Sequence, residues 1–190
     1  MASKDKDRLH FNDFKEVYLF ILSIVHGGLF FIFLEHLNKI LYGGVNHKNI
    51  ALALFLFILF LRIFQSQLLA ALKYQYWKLY FIDLFVVFTT AALEHQIILF
   101  SSNNEVSDFI FLVRAMAILG ILGYLYTYIK VKKHSSGREG TLHSINILVL
   151  LAILLLSFIK AGDMYIFYYI STILLTVNMH TSFLFSGYLK

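Results

Sequence analysis

The sequence predicts an all-α fold, a polytopic transmembrane helical bundle of about six spans with both termini on the inner side of the membrane. The alternative is four spans with long cytoplasmic helical extensions. Three observations lead there. The 190-residue chain is 59% hydrophobic and only 14% charged, against about 25% charged in ordinary soluble domains, and a soluble chain this short could not bury so many Phe, Leu and Ile side chains. Six continuous apolar runs, at about 17–38, 49–70, 79–100, 108–129, 142–160 and 164–187, each approach the roughly 20 residues a helix needs to cross a bilayer. The basic residues fall mainly at alternate ends of those runs, as the positive-inside rule requires.

Taken in order, the chain opens with MASKDKDRLHFNDFKE, which carries charges of both signs and lacks the short apolar core and small-residue cleavage site of a signal peptide. Residues 1–16 therefore read as a cytoplasmic N-terminal segment and 17–190 as a single transmembrane domain. The first span holds His26 beside Gly27 and Gly28, and ends in Phe33-Leu34-Glu35-His36. The second runs into LRIFQSQLLAALKYQYWK (61–78), which reads either as a helical extension or as a tight hairpin. The third contains Ala92-Leu93-Glu94-His95, a second Leu-Glu-His triplet 59 residues after the first, consistent with a duplicated hairpin or with chance composition. The fourth carries Arg114 and the small residues Ala117, Gly120 and Gly123, which allow close backbone approach and self-association. Only KAGD (160–163) separates the fifth and sixth runs, as a tight outer hairpin or one re-entrant unit. The sixth bears Thr172, Thr176 and His180, one polar stripe at four-residue spacing, with Asn178 and Ser182 to one side.

With the N-terminus inside, twelve of the sixteen cations lie at inner ends: Lys4, Lys6, Arg8, Lys15, Arg62, Lys73, Lys78, Lys130, Lys132, Lys133, Arg138 and Lys190. Lys39, Lys48 and Lys160 lie at outer ends, and Arg114 lies within a span. Tyrosines and the lone tryptophan gather near both predicted interfaces, as amphipathic rings do. The absence of proline predicts unbroken helices, unlike the interrupted helices from which secondary transporters commonly build substrate sites.

An unpaired charge in hydrocarbon costs about 2.5–3.5 kcal/mol or more, so the ionisable residues inside spans are the candidate site. Glu35, Glu94 and Arg114 are predicted at depths of roughly 6, 10 and 9 Å from the outer ends of their helices, at 1.5 Å per residue. Together with His36 and His95 they form a predicted intramembrane charge cluster, in which Glu94 pairs with Arg114 across a short outer loop. At the inner ends, Asp83 is the predicted partner of Arg62. Adjacent residues on a helix point about 100° apart, so neither Glu-His pair can chelate an ion from one helix. No metal and no cofactor is expected.

The sequence contains no GxSxG elbow, no GxxxxGK[ST] loop, no GxGxxG and no cysteine. Arg138 and His143 have the spacing found in HEPN ribonucleases, but without a soluble helical domain around them the match is accidental. The inner loop bearing Lys130, Lys132, Lys133 and Arg138 is suited to anionic lipid headgroups or an acidic soluble partner. The expected function is that of a non-enzymatic, self-associating sensor or anchor in the bacterial inner membrane, presenting a basic cytoplasmic face to a soluble partner protein and binding no nucleic acid directly. The alternatives are a small oligomeric ion channel and, in third place, a lipid-modifying membrane enzyme using Glu35, Glu94 and the two histidines. In size, multi-pass character and lack of catalytic signatures the chain also resembles the small membrane subunits of bacterial anti-phage defence systems of the Kiwa type, which would imply a cytoplasmic DNA-binding partner and four spans.

Overall fold

Six helices account for every regular element in the computed structural model, which describes residues 2–42, 46–73, 81–102, 106–131, 137–159 and 163–186. They are α1 (Ala2–Tyr42), α2 (His47–Lys73), α3 (Phe81–Ser102), α4 (Val106–Val131), α5 (Gly137–Leu156) and α6 (Met164–Ser186). Among the described residues there is no strand. Each predicted apolar run lies on one helix. α1 is longer than expected, because the polar N-terminal segment continues the same helix, and α2 continues unbroken through 61–73 as an extension. The rest of the ambiguous 61–78 stretch lies outside the described residues. Arg138, expected in a loop, falls in the first turn of α5.

Local chemistry explains the tight turn between α1 and α2. The Asn46 side-chain oxygen accepts from the Asn49 backbone N–H at 2.9 Å, an N-cap for α2. The Asn49 amide donates in turn to the Ile40 carbonyl at 3.0 Å, serving one of the otherwise orphaned carbonyls at the end of α1.

The helices form two layers of three, α1–α2–α6 against α3–α4–α5. α1 packs on α2 and α3, α6 on α2 and α5, and α4 on α3 and α5, which closes a flattened ring. One buried cluster draws Phe33, Phe55, Ile97, Phe109, Ile153 and Phe167 from all six helices. Its densest part is aromatic: Phe55 meets Phe167 at 5.5 Å and Tyr168 at 5.8 Å between ring centroids. Gly120 lets α4 and α5 approach, since a Cβ there would lie 2.8 Å from Leu150 Cδ1. That small-residue face is thus used within the subunit, whereas Gly123 is exposed with nothing near it.

The outer surface is apolar. Phe20, Phe31, Phe85, Phe111, Leu155, Phe158 and Ile173 are all exposed, while Arg62, Gln65, Glu94, Asn146 and Asn178 are buried. Apolar surface on this scale is foreign to soluble monomers. α1 to α4 each contain a stretch long and apolar enough to cross a membrane, at Lys15–Tyr42, His47–Leu69, Asp83–Ser101 and Val106–Ile129. The apolar part of α5, Gly140–Leu156, is shorter, and α6 carries Ser, Thr, Asn and His through its centre. The chain is an all-helical protein built as an integral membrane protein is.

Candidate functional site

α2 is the partition between two buried polar compartments. Its residues 56, 60, 64, 67 and 71 recur every three or four positions and face α1 and α3; Arg62 and Gln65 sit about half a turn round and face α4, α5 and α6.

On the α4–α6 side, Arg62 is only 6% exposed and is held by neutral groups from four helices. Its Nε donates to the Asn178 side-chain oxygen, Nη1 to Gln65 Oε1 at 3.3 Å, and Nη2 to Tyr124 Oη at 2.8 Å and Asn146 Oδ1 at 3.1 Å. Asn178 Nδ2 donates to the same Asn146 oxygen at 2.8 Å, and Gln65 Nε2 to the Met179 carbonyl at 3.1 Å. The expected Arg62–Asp83 pair does not form. The guanidinium lies on the face of α2 away from α3, and its donors are taken up by amides and a phenol. A planar fork of five donors suits such a multi-helix clamp better than a single carboxylate would.

The predicted Glu94–Arg114 pair is also absent. Arg114 turns to α5: Nε donates to Ser157 Oγ at 3.0 Å, Nη2 to the Ser157 carbonyl at 2.8 Å, and the guanidinium lies 4.0 Å from the centre of the Phe158 ring. The physical reason is that α5 stops at Leu156, so its last carbonyls need donors in an apolar setting, and a cation complements a helix C-terminus. Arg114 is a C-cap from a neighbouring helix.

Glu35 and Glu94 occupy unlike sites despite their shared triplet. Glu35 is exposed and paired with Lys39 at 3.2 Å, while His36 beside it is buried, its Nδ1 on the Ile32 carbonyl at 3.0 Å. On α3 the order reverses: Glu94 is 2% exposed and His95 half-buried. α1 and α3 therefore turn different members of the triplet inward, and the five residues do not make one cluster.

Glu94 faces the second compartment, between α1, α2 and α3. Neither of its carboxyl oxygens has a hydrogen-bond partner. Buried in the same seam are His26 and Gln67. His26 Nδ1 donates to the Leu22 carbonyl at 3.1 Å and its ring packs 5.0 Å from Phe64, leaving Nε2 unserved. Gln67 Nε2 donates to Thr90 Oγ1 at 2.7 Å, leaving Oε1 unserved.

The α6 stripe also differs from expectation. Thr176 and His180 are exposed and Thr172 is half-buried, and both threonines bond their own helix, Thr172 to the Tyr168 carbonyl at 2.7 Å and Thr176 to the Thr172 carbonyl at 2.8 Å. The inward face is Ser171, Leu175, Asn178 and Ser182. Large Ile173 and Val177 flank the threonines on the outside, so hydropathy alone could not tell the two sides apart. The side chains of Lys130, Lys132, Lys133 and Arg138 lie outside the described residues.

Sequence reasoning missed Arg62 as the centre of a network and Gln67 altogether. Asn146, Asn178 and Gln65 were the available signal, since amides at mid-span depth on three helices need partners. No family model, no curated protein and no solved structure matches the chain.

Proposed function

We propose that the protein is a non-enzymatic, self-associating membrane sensor or anchor, six-spanning with both termini in the cytoplasm, that presents a basic inner face to an acidic soluble partner. The observation that carries this reading is the state of its buried cations. Arg62 and Arg114 are tied into neutral clamps that join helices, so neither is left to line an ion path. The cavity bounded by Phe55, Leu59, Val113, Met116, Ala117 and Leu175 is apolar. The accessible positive charge lies instead at helix ends and connections, above all at Lys130, Lys132, Lys133 and Arg138. The same division of labour fits a membrane subunit of a bacterial defence system that docks a cytoplasmic effector.

The test is capture of a soluble partner from native membranes by the tagged chain. Neutralising Lys130, Lys132 and Lys133 together should abolish capture and leave membrane insertion intact. Capture that survives this triple change, or an ion conductance abolished by it, contradicts the reading.

A further inference from the structure

We propose that the seam between α1, α2 and α3 conducts protons across the bilayer, through Tyr18, the Gln67–Thr90 pair, His26, Glu94 and His36. The inference is independent of the recruitment reading, because proton flux is measured with no partner present.

Hydrogen-bond accounting gives the first argument. The Thr90 hydroxyl donates to the Val86 and Val87 carbonyls, each at 2.9 Å, so it must accept from the Gln67 amide, which leaves Gln67 Oε1 free to accept. The Leu22 carbonyl fixes the N–H of His26 on Nδ1, so Nε2 carries the lone pair. Glu94 adds two oxygens. The unserved atoms of this seam are thus proton acceptors or a carboxyl that can carry a proton. Cations larger than a proton need a cavity, and the apolar one lies beyond α2, around Phe55 and Leu175. A proton needs none.

Alignment along the seam gives the second. Tyr18 and Leu22 pack with Ala71 and Val87, which puts Gln67 and Thr90 one turn further along. His26 packs on Phe60 and Phe64. Leu29 packs with Phe60 and Ala91, which puts Glu94, one turn beyond Ala91, between His26 and His36. Tyr18 to His36 is eighteen residues, roughly 27 Å at 1.5 Å per residue, close to the ~30 Å thickness of the hydrocarbon core. Chains of Glu and His at such depth are what proton relays are made of.

No fixed charge blocks the seam. From α1 the titratable groups facing Glu94 are Tyr18, His26 and His36. α2 offers none among the described residues, because Arg62 faces away. α3 itself adds Asp83 and, about 100° round, His95. The cation of α4, Arg114, is bound to Ser157. In the transfer step the Glu94 O–H bond breaks and a His26 Nε2–H bond forms, directly or through a bridging water, leaving a carboxylate and an imidazolium. His26 then releases a proton toward Gln67 and Tyr18, and Glu94 takes one from the His36 side. One proton crosses and nothing is oxidised.

The test uses the full chain in liposomes containing a pH-sensitive dye, with proton entry driven by a potassium gradient and valinomycin. Proton entry should exceed that of protein-free vesicles, fall by about tenfold or more in Glu94→Gln and in His26→Asn, and persist in Glu35→Gln and His180→Asn. Wild-type entry equal to that of protein-free vesicles, or entry unchanged by Glu94→Gln, overturns the proposal. Because Glu94→Gln could misfold, infrared spectroscopy of the wild type provides a second reading. The carboxylic C=O band, assigned by its loss in Glu94→Gln, should shift on transfer to D2O, and a band that stays unexchanged overturns the relay.

Discussion

Replacing Asn146 with leucine should cost the bundle more than removing the arginine it serves. Asn146 Oδ1 accepts from Arg62 Nη2 at 3.1 Å and from Asn178 Nδ2 at 2.8 Å, so Asn146→Leu strands two buried donors. At about 1–3 kcal/mol per stranded group in water-soluble proteins, and about 0.6 kcal/mol per interhelical bond in a membrane bundle, the expected loss is about 1–4 kcal/mol. Arg62→Met also breaks four donated bonds, a loss of about 2.4 kcal/mol on the membrane figure. It removes, however, a buried charge whose insertion costs about 2.5–3.5 kcal/mol, so the two effects nearly cancel. In the Arg62→Met background, Asn146→Leu strands only the Asn178 donor and should cost about 1–2 kcal/mol less than in the wild type. Reversible unfolding in mixed detergent–SDS micelles, followed by helical circular dichroism over the four proteins of the cycle, measures this coupling. Additive losses, or an Asn146→Leu within about 0.5 kcal/mol of wild type, would refute a shared clamp.

The same assay checks three further expectations. Glu94→Leu should stabilise the fold by about 1–3 kcal/mol by removing a buried group with no partner, while Glu35→Gln, which breaks an exposed ion pair, should change it by under about 1 kcal/mol; a destabilised Glu94→Leu would mean that the carboxyl has a partner. Arg114→Met should cost about 1–3 kcal/mol and speed amide exchange at the end of α5, and unchanged exchange there would rule out the cap. Gly120→Val should cost about 1–3 kcal/mol because Leu150 fills the space a side chain needs, whereas Gly123→Ala should be neutral or stabilising by up to about 1 kcal/mol.

The helices were legible because lipid makes a simple demand: long apolar runs, with every backbone group satisfied inside the helix. The partners of the buried charges were not, because sequence pairs an arginine most readily with an acid on the next helix. Arg114 had such an acid in Glu94 and instead caps α5, a choice that depends on where α5 ends. Arg62 had Asp83 and instead gathers Asn146, Asn178 and Tyr124, from helices 62 to 116 residues away. The two Leu-Glu-His triplets show the same limit, since identical residues face opposite ways once α1 and α3 take different rotations. On α6 the threonine–histidine stripe was a true period-four pattern, but it faces outward and satisfies itself through its own backbone.

The lack of cysteine allows the most direct test of the central claim, that this is a bilayer-spanning bundle whose basic end and termini face the cytoplasm. Single cysteines placed at Asn46, between α1 and α2, and at Ser135, in the basic connection after α4, would be labelled with a membrane-impermeant maleimide in intact cells and again after lysis. Labelling of Asn46→Cys in intact cells, with Ser135→Cys reactive only after lysis, is the predicted result. Labelling of both in intact cells, or the reverse order, would contradict it.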